Sequence, residues 1–574
     1  MTLNSTLNIA NSSLIASQVG LQVASNNLAN VSTPGYTRQI ALLQALRGSQ
    51  SDPFQIGSGV AVANVRRQID QALQERLWDG VSDQYSSAQK LNTFNQLEAI
   101  LNEGTEFDTS SQLTSFFNTW SEATTLLDSE SSIINQGQSL TGFIRNVREQ
   151  LMDQRRQLED QLDAQTVQAN SLFEELATIN QTIAGRETGA AEASALRDRR
   201  DQIVTEISSL IDISVNENAE GLYDVFVGST PVVLGTRNRG VEIDRETING
   251  VITATVRISD NGAPLPVDGG SIGGLLASRD GVIDTTIEKL DDLASSLIFE
   301  INRLHSTGRN ADRLTTTQGT LAINTTNQNL PINDPNNLAF ADLPFAAENG
   351  SFTIEVYNSE TQTSDVLTVP IDLDGLDASN LPGVGDDTTP QQIVDAINGH
   401  FGGSVTASFT ADGRLDITAA PGSSFSFTDD TSGVLAVMGV NSFFTGTNAQ
   451  DIAVREGVEV MLGRTVDDKF VENGNALEIG RLTEGVLSSL GDRSFGKFWG
   501  LHAQDVATQS SSARTKADAD AIVGQSLAAQ RAAVSGVSID EESMNLLLYQ
   551  RQYQAAAQVI QTTQAMFDTL LSLV

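Results

Sequence analysis

The sequence predicts a multi-domain protein of mixed α and β structure. Its N- and C-terminal helices are expected to pair in a coiled-coil-like bundle, next to a long helical domain and a β-rich middle with an inserted α+β domain. Three observations lead there. All twelve prolines sit at Pro34, Pro53 and between Pro231 and Pro421, which leaves 54–230 and 422–574 without one. Proline breaks helix interiors, so those flanks are free to form long helices. Both ends of the chain repeat apolar residues every seven positions. From Ile213 onward the apolar period shortens to the alternation of strands.

The first helix is expected over 3–31. Leu7, Leu14, Leu21 and Leu28 recur every seven residues, and Leu3, Ala10, Ser17, Ala24 and Val31 run in step with them. The alternating 4/3 spacing places one apolar seam along a helix. Thr33, Pro34 and Gly35 stop it. Residues 1–37 carry no charge, although the chain holds 34 basic and 72 acidic side chains. The last helix, 539–574, mirrors the first. Ile539, Leu546, Tyr553, Ile560, Phe567 and Val574 form one row, with Tyr549, Ala556, Thr563 and Leu570 as the second. Beyond Glu542 only Arg551 and Asp568 are charged. An exposed helix normally carries Lys and Glu outside, whereas a neutral surface suits burial against other subunits, because burying unpaired charge is costly. The ends therefore read as a subunit-packing surface that orders on assembly. Frayed termini, or one hairpin with a polar outside, are the plainer alternatives.

Between the ends, helices are expected over 68–101, 110–127, 143–185 and 191–211, with a turn from Gly185 to Gly189. Strands are expected at 213–215, 223–227 and 251–258, a helix at 280–305, and further helices after about 475. Residues 335–445 read as a self-contained α+β unit, with strands at 351–357, 366–371, 405–409, 415–419 and 425–427 and a short helix at 390–398. The expected domains are 1–37 with 535–574, 38–212 with 475–534, 213–334 with 446–474, and 335–445.

Composition narrows the function. A net charge of −38 gives nothing to neutralise phosphates, which argues against nucleic acid and against an anionic membrane surface. Without cysteine, disulfides, thiolate catalysis and Cys-ligated zinc are excluded. The histidines are His305, His400 and His502, and no two lie close enough for a metal pair. His305 reads as packed or capping, and none of the three has a nucleophile and carboxylate nearby in sequence. Asp372, Asp374 and Asp377 superficially resemble a calcium loop, but lack the EF-hand spacing and terminal Glu, so they read as a solvated turn. Arg197, Asp198, Arg199, Arg200 and Asp201 read as surface or inter-helix ion pairs. Gly269 to Gly274 is not a dinucleotide fingerprint. No catalytic residue, cofactor or metal site is therefore expected. No apolar stretch reaches transmembrane length, and the N-terminus lacks the basic region of a signal peptide: the first charge is Arg38.

Several segments carry a family resemblance. Residues 24–36 (ASNNLANVSTPGY) closely resemble the N-terminal motif of the flagellar rod, hook and hook-associated proteins; 57–60 (GSGV) and 65–70 (VRRQID) resemble the segment immediately C-terminal to that motif in the same proteins. Residues 535–542 (SGVSIDEE) and 550–555 (QRQYQA) resemble the matching C-terminal motif. Residues 196–201 (LRDRRD), 269–280 (GGSIGGLLASRD) and 302–308 (NRLHSTG) are similar to motifs of the hook-associated protein 1 family within that group. The resemblance implies a non-enzymatic structural subunit at the hook–filament junction. It would be exported by the flagellar type III apparatus without a cleaved signal peptide and would lie outside the cell. Its implied partners are copies of itself, hook protein, the second hook-associated junction protein and an export chaperone. The terminal helices would line an inner tube and the β domains would face outward. The implied interface residues are Leu7, Leu14, Leu21, Leu28, Asn27, Asn30, Pro34, Gly35, Tyr36, Leu546, Tyr553, Ile560 and Phe567. A hook or distal rod protein of the same family is the nearest alternative; a secreted adhesin using 335–445 is another.

Overall fold

The structure, a computed structural model, describes residues 3–47, 57–105, 107–125, 129–187, 192–248, 251–377, 379–467 and 469–572. Pro53, positions 126–127 of the helix expected to end at 127, Gly189 and Val574 lie outside them. The chain forms two compact units: Met1–Thr93, Gln157–Asp280 and Ser510–Val574 make the first, and Phe94–Arg156 with Gly281–Gln509 the second. The chain passes between them four times, within the helices Gln71–Leu101, Glu130–Arg186 and Phe495–Ser535 and within a π turn at Arg279–Asp284.

The first unit contains both ends of the chain, as helices Leu3–Ala29 and Ile539–Ser572. Between the N-terminal helix and Gln71 runs an antiparallel ribbon, Gln39–Leu46 with Gly59–Arg67, bulged between Leu42 and Leu43. Sequence patterning does not anticipate this ribbon, because the run QIALLQAL has no clean two-residue alternation. The helix Ser194–Leu210 leads into an antiparallel four-stranded meander, Ser214–Glu217, Tyr223–Val227, Thr230–Leu234 and Arg237–Asn238. In its second strand Tyr223, Val225 and Val227 point inward and are buried, the pattern expected of a half-buried strand. A second ribbon pairs Val241–Ile248 with Val251–Ile258.

The expected helices 143–185 and 280–305 both differ from what forms. The first runs from Glu130 to Arg186, 57 residues. Its opening turns hold Gly137 and Gly142, weak helix formers that blur the sequence signal, yet Ile133, Leu140 and Ile144 are wholly buried and carry the helix through. The second is preceded by a helix at Gly270–Ser278 and a π turn at Arg279–Asp284, and runs Thr285–Ser306.

The second unit has two cores. One lies in the α+β region. Strands Thr363–Ile371, Gly350–Asn358 and Ser423–Thr428 form one antiparallel sheet, and Val405–Phe409, Leu415–Ala419 and Thr316–Gln318 another. Thr316–Gln318 comes from upstream of the 335–445 span. Phe352, Ile354 and Val356 alternate into the core against Phe425, Phe427, Ile393 and Ile397. The helix Pro390–Phe401 has a capping box between Thr389 and Gln392, proline at its start, and left-handed Gly402 at its end.

The other core is aromatic. The helix Thr109–Glu122 is capped by Asp108, whose carboxylate accepts from the Ser111 amide at 2.6 Å. It buries Phe116, Phe117 and Trp120. Phe116 and Trp120 meet Phe443 with centroids 6.1 and 5.5 Å apart, and Phe117 stacks on Phe495 at 5.6 Å. Asn302 and His305, about one turn apart on Thr285–Ser306, hold the segment around Phe443 in place. Asn302 accepts from the Phe443 and Phe444 amides and donates to the Phe444 carbonyl. His305 is fully buried; its Nδ1–H donates to the Asn441 carbonyl at 2.7 Å and its Nε2 accepts from the Met461 amide at 3.1 Å. Motif 302–308 is thus packing machinery in this fold.

Two backbone partners require the neutral imidazole, and burial, with the Arg455 charge nearby, pushes the His305 pKa down to about 4. Since the unfolded histidine titrates near 6.5, the neutral form's stabilisation is complete above pH 6.5 and is lost as pH falls toward 4, amounting to about 3 kcal/mol. The expected outcome is that wild type exceeds His305→Gln in unfolding free energy by an amount that shrinks across this window. A difference independent of pH in thermal melts from pH 7 to 4 would count against the assignment.

Candidate assembly site of the terminal helices

The two terminal helices run antiparallel. Gly20 faces the Tyr549 ring and Asn27 meets Glu542. On the N-terminal helix the buried stripe is Ala10, Ala16, Ser17, Gly20, Ala24 and Asn27. Leu7, Leu14, Leu21 and Leu28 are only half-buried and flank it. The leucine row thus forms the shoulder of the pairing and small residues its centre. Close approach explains this: a Cβ at Gly20 would stand 2.6 Å from the Tyr549 ring, so only glycine lets that ring lie flat on the helix. On the C-terminal helix Glu542, Ala556 and Thr563 are buried, and Leu546, Tyr549, Ile560 and Phe567 half-buried, while Tyr553 is 38% exposed.

Pairing leaves much apolar surface uncovered. Ile15 is exposed on the first helix and Val31 in the turn after it, and Met544, Leu547, Leu548, Val559, Met566, Leu570 and Leu571 on the second helix, Leu571 at 72%. The hairpin therefore carries apolar side chains on its outer faces as well as within its seam, which is unusual for a helix that ends in water.

At the base of the hairpin one buried amide organises the turn. Asn27, 1% exposed, donates from Nδ2 to the Gln39 carbonyl at 2.9 Å and to Glu542 Oε2 at 3.2 Å. Its Oδ1 accepts from the Tyr36 hydroxyl at 2.8 Å and from the Gln39 amide at 3.0 Å. All four bonding positions of the amide are filled. Gly35 takes φ +79° to turn Tyr36 back toward the helix, a conformation that glycine adopts without strain. The Tyr36 phenol is pushed up to about 12 by burial, with the charges of Asp198 and Glu542 adding, so it remains a donor. Pro34 is exposed, and Asn30 makes only local bonds, to Asn26 and Thr33.

Residues that sequence patterning does not single out complete the site. Arg38 donates to Glu542 Oε1 at 2.8 Å and to Glu541 Oε2 at 2.7 Å. The signal is present: Arg38 is the first charge in the chain, and Glu542 lies seven residues before Tyr549 in the second heptad row. The Thr37 amide donates to Asp198, which also binds Arg67 at 3.0 Å. Arg67, 3% exposed, bonds Asp201 at 2.6 Å, and Asp201 accepts from the Tyr223 hydroxyl at 2.9 Å. Arg200, fully buried, lies 3.4 Å over the Tyr223 ring and donates to the Gly221 carbonyl. The expectation of surface or inter-helix pairing for 197–201 thus needs correction: Arg199 does pair at the surface with Glu175 and Glu206, but Arg200 and Asp201 are core residues. Their helix lies across the meander, which no sequence spacing reveals.

Three family descriptions match in order along the chain: "Flagella basal body rod protein" at 7–37, "Flagellar hook-associated protein FlgK helical domain" at 94–320 and "Flagellar basal body rod FlgEFG protein C-terminal" at 529–573. The flagellar hook-associated protein 1 of Salmonella typhimurium is 27% identical over 596 residues, covering 100% of both chains. The chain carries a match to the FlgK helical-domain family and is similar over its whole length to proteins named flagellar hook-associated protein 1. This family comprises structural proteins of the flagellum. The Bacillus subtilis protein of the same name is 30% identical over 227 residues, 38% of this chain and 44% of its own. A solved flagellar hook junction protein FlgK from Burkholderia pseudomallei covers 81% of this chain and 100% of its own at 15% identity, with a TM-score of 0.48. The two terminal matches overlap the paired helices; Asn27 and Tyr36 lie within the first match, Arg38 one residue past it, and Glu542 within the second.

Two outcomes are expected. Asn27→Ala removes one hydrogen-bond partner from each of Glu542 and Tyr36 and two bonds from Gln39, at a cost of about 2–4 kcal/mol, so amide exchange across 3–29 and 539–572 accelerates roughly 30- to 1,000-fold. Unchanged protection would show that the amide does not hold the hairpin. Gly20→Ala destabilises by about 1–3 kcal/mol through overpacking, and Tyr549→Ala in the same chain removes most of that penalty; strict additivity in denaturant melts would exclude the contact.

Proposed function

We propose that this chain is the subunit of a thin tier joining hook to filament, with the paired terminal helices packing among neighbouring copies around a central tube. The observation that supports this most is the hairpin itself: almost free of charge, closed by a satisfied polar turn, and lined outside with uncovered apolar side chains. Neighbouring helices of the same kind would bury those side chains at about 25 cal/mol per Å² without stranding a charge. Leu7, Leu14, Leu21 and Leu28, on the shoulder of the pair, are then placed to meet the next subunit, as are Tyr553 and the half-buried Leu546, Ile560 and Phe567. Asn27, Asn30, Pro34, Gly35 and Tyr36 shape the turn that leads the chain out of the tube wall.

In this reading the partners are further copies of the chain, hook protein on one side and the second hook-associated junction protein on the other. An export chaperone would cover the apolar helices before assembly, and the flagellar type III apparatus would carry the chain out of the cell. The domains take the division 1–37 with 535–574, 38–212 with 475–534, 213–334 with 446–474, and 335–445, the last facing outward.

Charging the shoulder or the seam tests the proposal. Leu21→Asp and Ile560→Asp should leave the melting transition of the remaining structure intact, while immunogold labelling at the hook tip falls to background. Normal incorporation of both variants would remove the role assigned to the helices, and label spread along the whole hook in wild type would favour a hook protein.

A further inference from the structure

The α+β region brings three carboxylates together that sequence spacing keeps apart. Asp372 and Asp374 come just after the strand Thr363–Ile371, and Asp387 precedes the helix Pro390–Phe401. One carboxylate oxygen from each lies within 4.8 Å of the others. Asp372 and Asp374 are exposed, whereas Asp387 is 1% exposed. Among the described residues none of the three has an ion-pair partner.

The buried member points to a ligand. Asp387 Oδ2 accepts from Asn333 Nδ2 at 2.6 Å, but its Oδ1 is buried with no protein donor, as is the Asn333 Oδ1 beside it. An ionised oxygen removed from water without a partner costs several kcal/mol. Here one carboxylate oxygen each of Asp372 and Asp374 lies within 4.8 Å of an Asp387 oxygen, which adds repulsion to the desolvation. Ordinary turn chemistry does not relieve this. The cost disappears if the occupant is a cation.

The frame around the cluster is already rigid. The Asp372 amide donates to Thr388 Oγ1 and the Thr388 amide returns to the Asp372 carbonyl, both at 2.8 Å. Asp374 Oδ1 accepts from the Leu376 amide at 2.8 Å, and Leu376 bridges to Pro382. The Thr388 carbonyl accepts from Ile332 at 3.0 Å, next to Asn333. The backbone carrying Asp372 is thus fixed against Thr388, the Asp374 carboxylate is held by a backbone amide, and the Asp387 carboxylate by the Asn333 side chain.

We propose that Asp372, Asp374 and Asp387, with Asn333 Oδ1 within reach, form a binding site for Ca²⁺. The donors are all hard oxygens, without nitrogen or sulfur, which selects Ca²⁺ or Mg²⁺ over transition metals. Oxygens this far apart suit the Ca²⁺ ligand distance of about 2.3–2.6 Å and its tolerance of irregular geometry better than the near-octahedral demand of Mg²⁺. Water fills the remaining positions on the exposed side. Three carboxylates and no dedicated loop place the affinity in the weak range of roughly 10⁻⁴–10⁻³ M. The ion ties the end of one strand to the cap of a helix, and so orders 372–389. The expectation of no metal from the 372–377 spacing therefore fails for a specific reason: the third ligand lies ten positions further on and arrives through the tertiary fold. The inference stands apart from the assembly reading and does not require it.

The test uses the full chain, stripped with chelator and titrated with CaCl₂, against MgCl₂ at equal ionic strength as the control for screening of a −38 chain. Hydrogen exchange by mass spectrometry should slow in peptides spanning 372–389 at about 5 mM Ca²⁺ and much less with Mg²⁺, and calorimetry should give one site. Asp374→Asn, at an exposed position that does not threaten folding, should weaken binding at least tenfold; Asp387→Asn should do the same; and Asp377→Asn, in the adjoining turn, should leave it unchanged. Slowing spread over the whole surface, equal effects of the two ions, or wild-type affinity in Asp374→Asn would each overturn the site.

Discussion

Everything in the first unit depends on bringing together two helices separated by 515 residues of chain. In an unfolded chain the closure of such a loop costs about 5–6 kcal/mol in entropy. A seam of alanine, glycine and serine buries little apolar area, so the pairing is weakly driven by itself. Folding of the intervening chain reduces the cost by delivering residues 38–67 and 535–542 to the same place, where Arg38 is held by both the Ser535 carbonyl and Glu542.

The polar turn resolves a conflict in that design. A hairpin surface almost free of charge avoids stranding charge when it is covered, yet close approach of neutral helices does not define register. Asn27 and the Arg38–Glu542 pair supply register at one end only, where Tyr36, Asp198 and Arg67 extend the network inward. Beyond Glu542 the seam is almost uncharged. Directional bonds are concentrated at the base of the hairpin, and the apolar surface is left free along its length.

Much of the fold is legible in the sequence. The heptads locate both terminal helices to within two residues, and strands 405–409 and 415–419 can be read from alternation alone. The ribbon at 39–67 is not legible, because its residues lack alternation, and the long helix reads short where glycines dilute its period. In the candidate site Asn27 and Tyr36 stand out through motif resemblance. Arg38 is visible as the first charge and Glu542 as the last residue of the C-terminal motif, with nothing to say that they would meet.

The sequence by itself determined where charge is absent, where proline forbids helix and where apolar residues recur; these are local properties, and they set the helical flanks and the β-rich middle. The tertiary structure alone decided which face of each terminal helix is central. Seven-residue spacing marks a face but not how closely two backbones approach, and Gly20 beneath Tyr549 moved the centre from leucine to small residues. It also decided the fate of Arg200 and Asp201, and of Asp387: burial of a charge depends on what folds across it, a relation between distant segments that no local pattern contains.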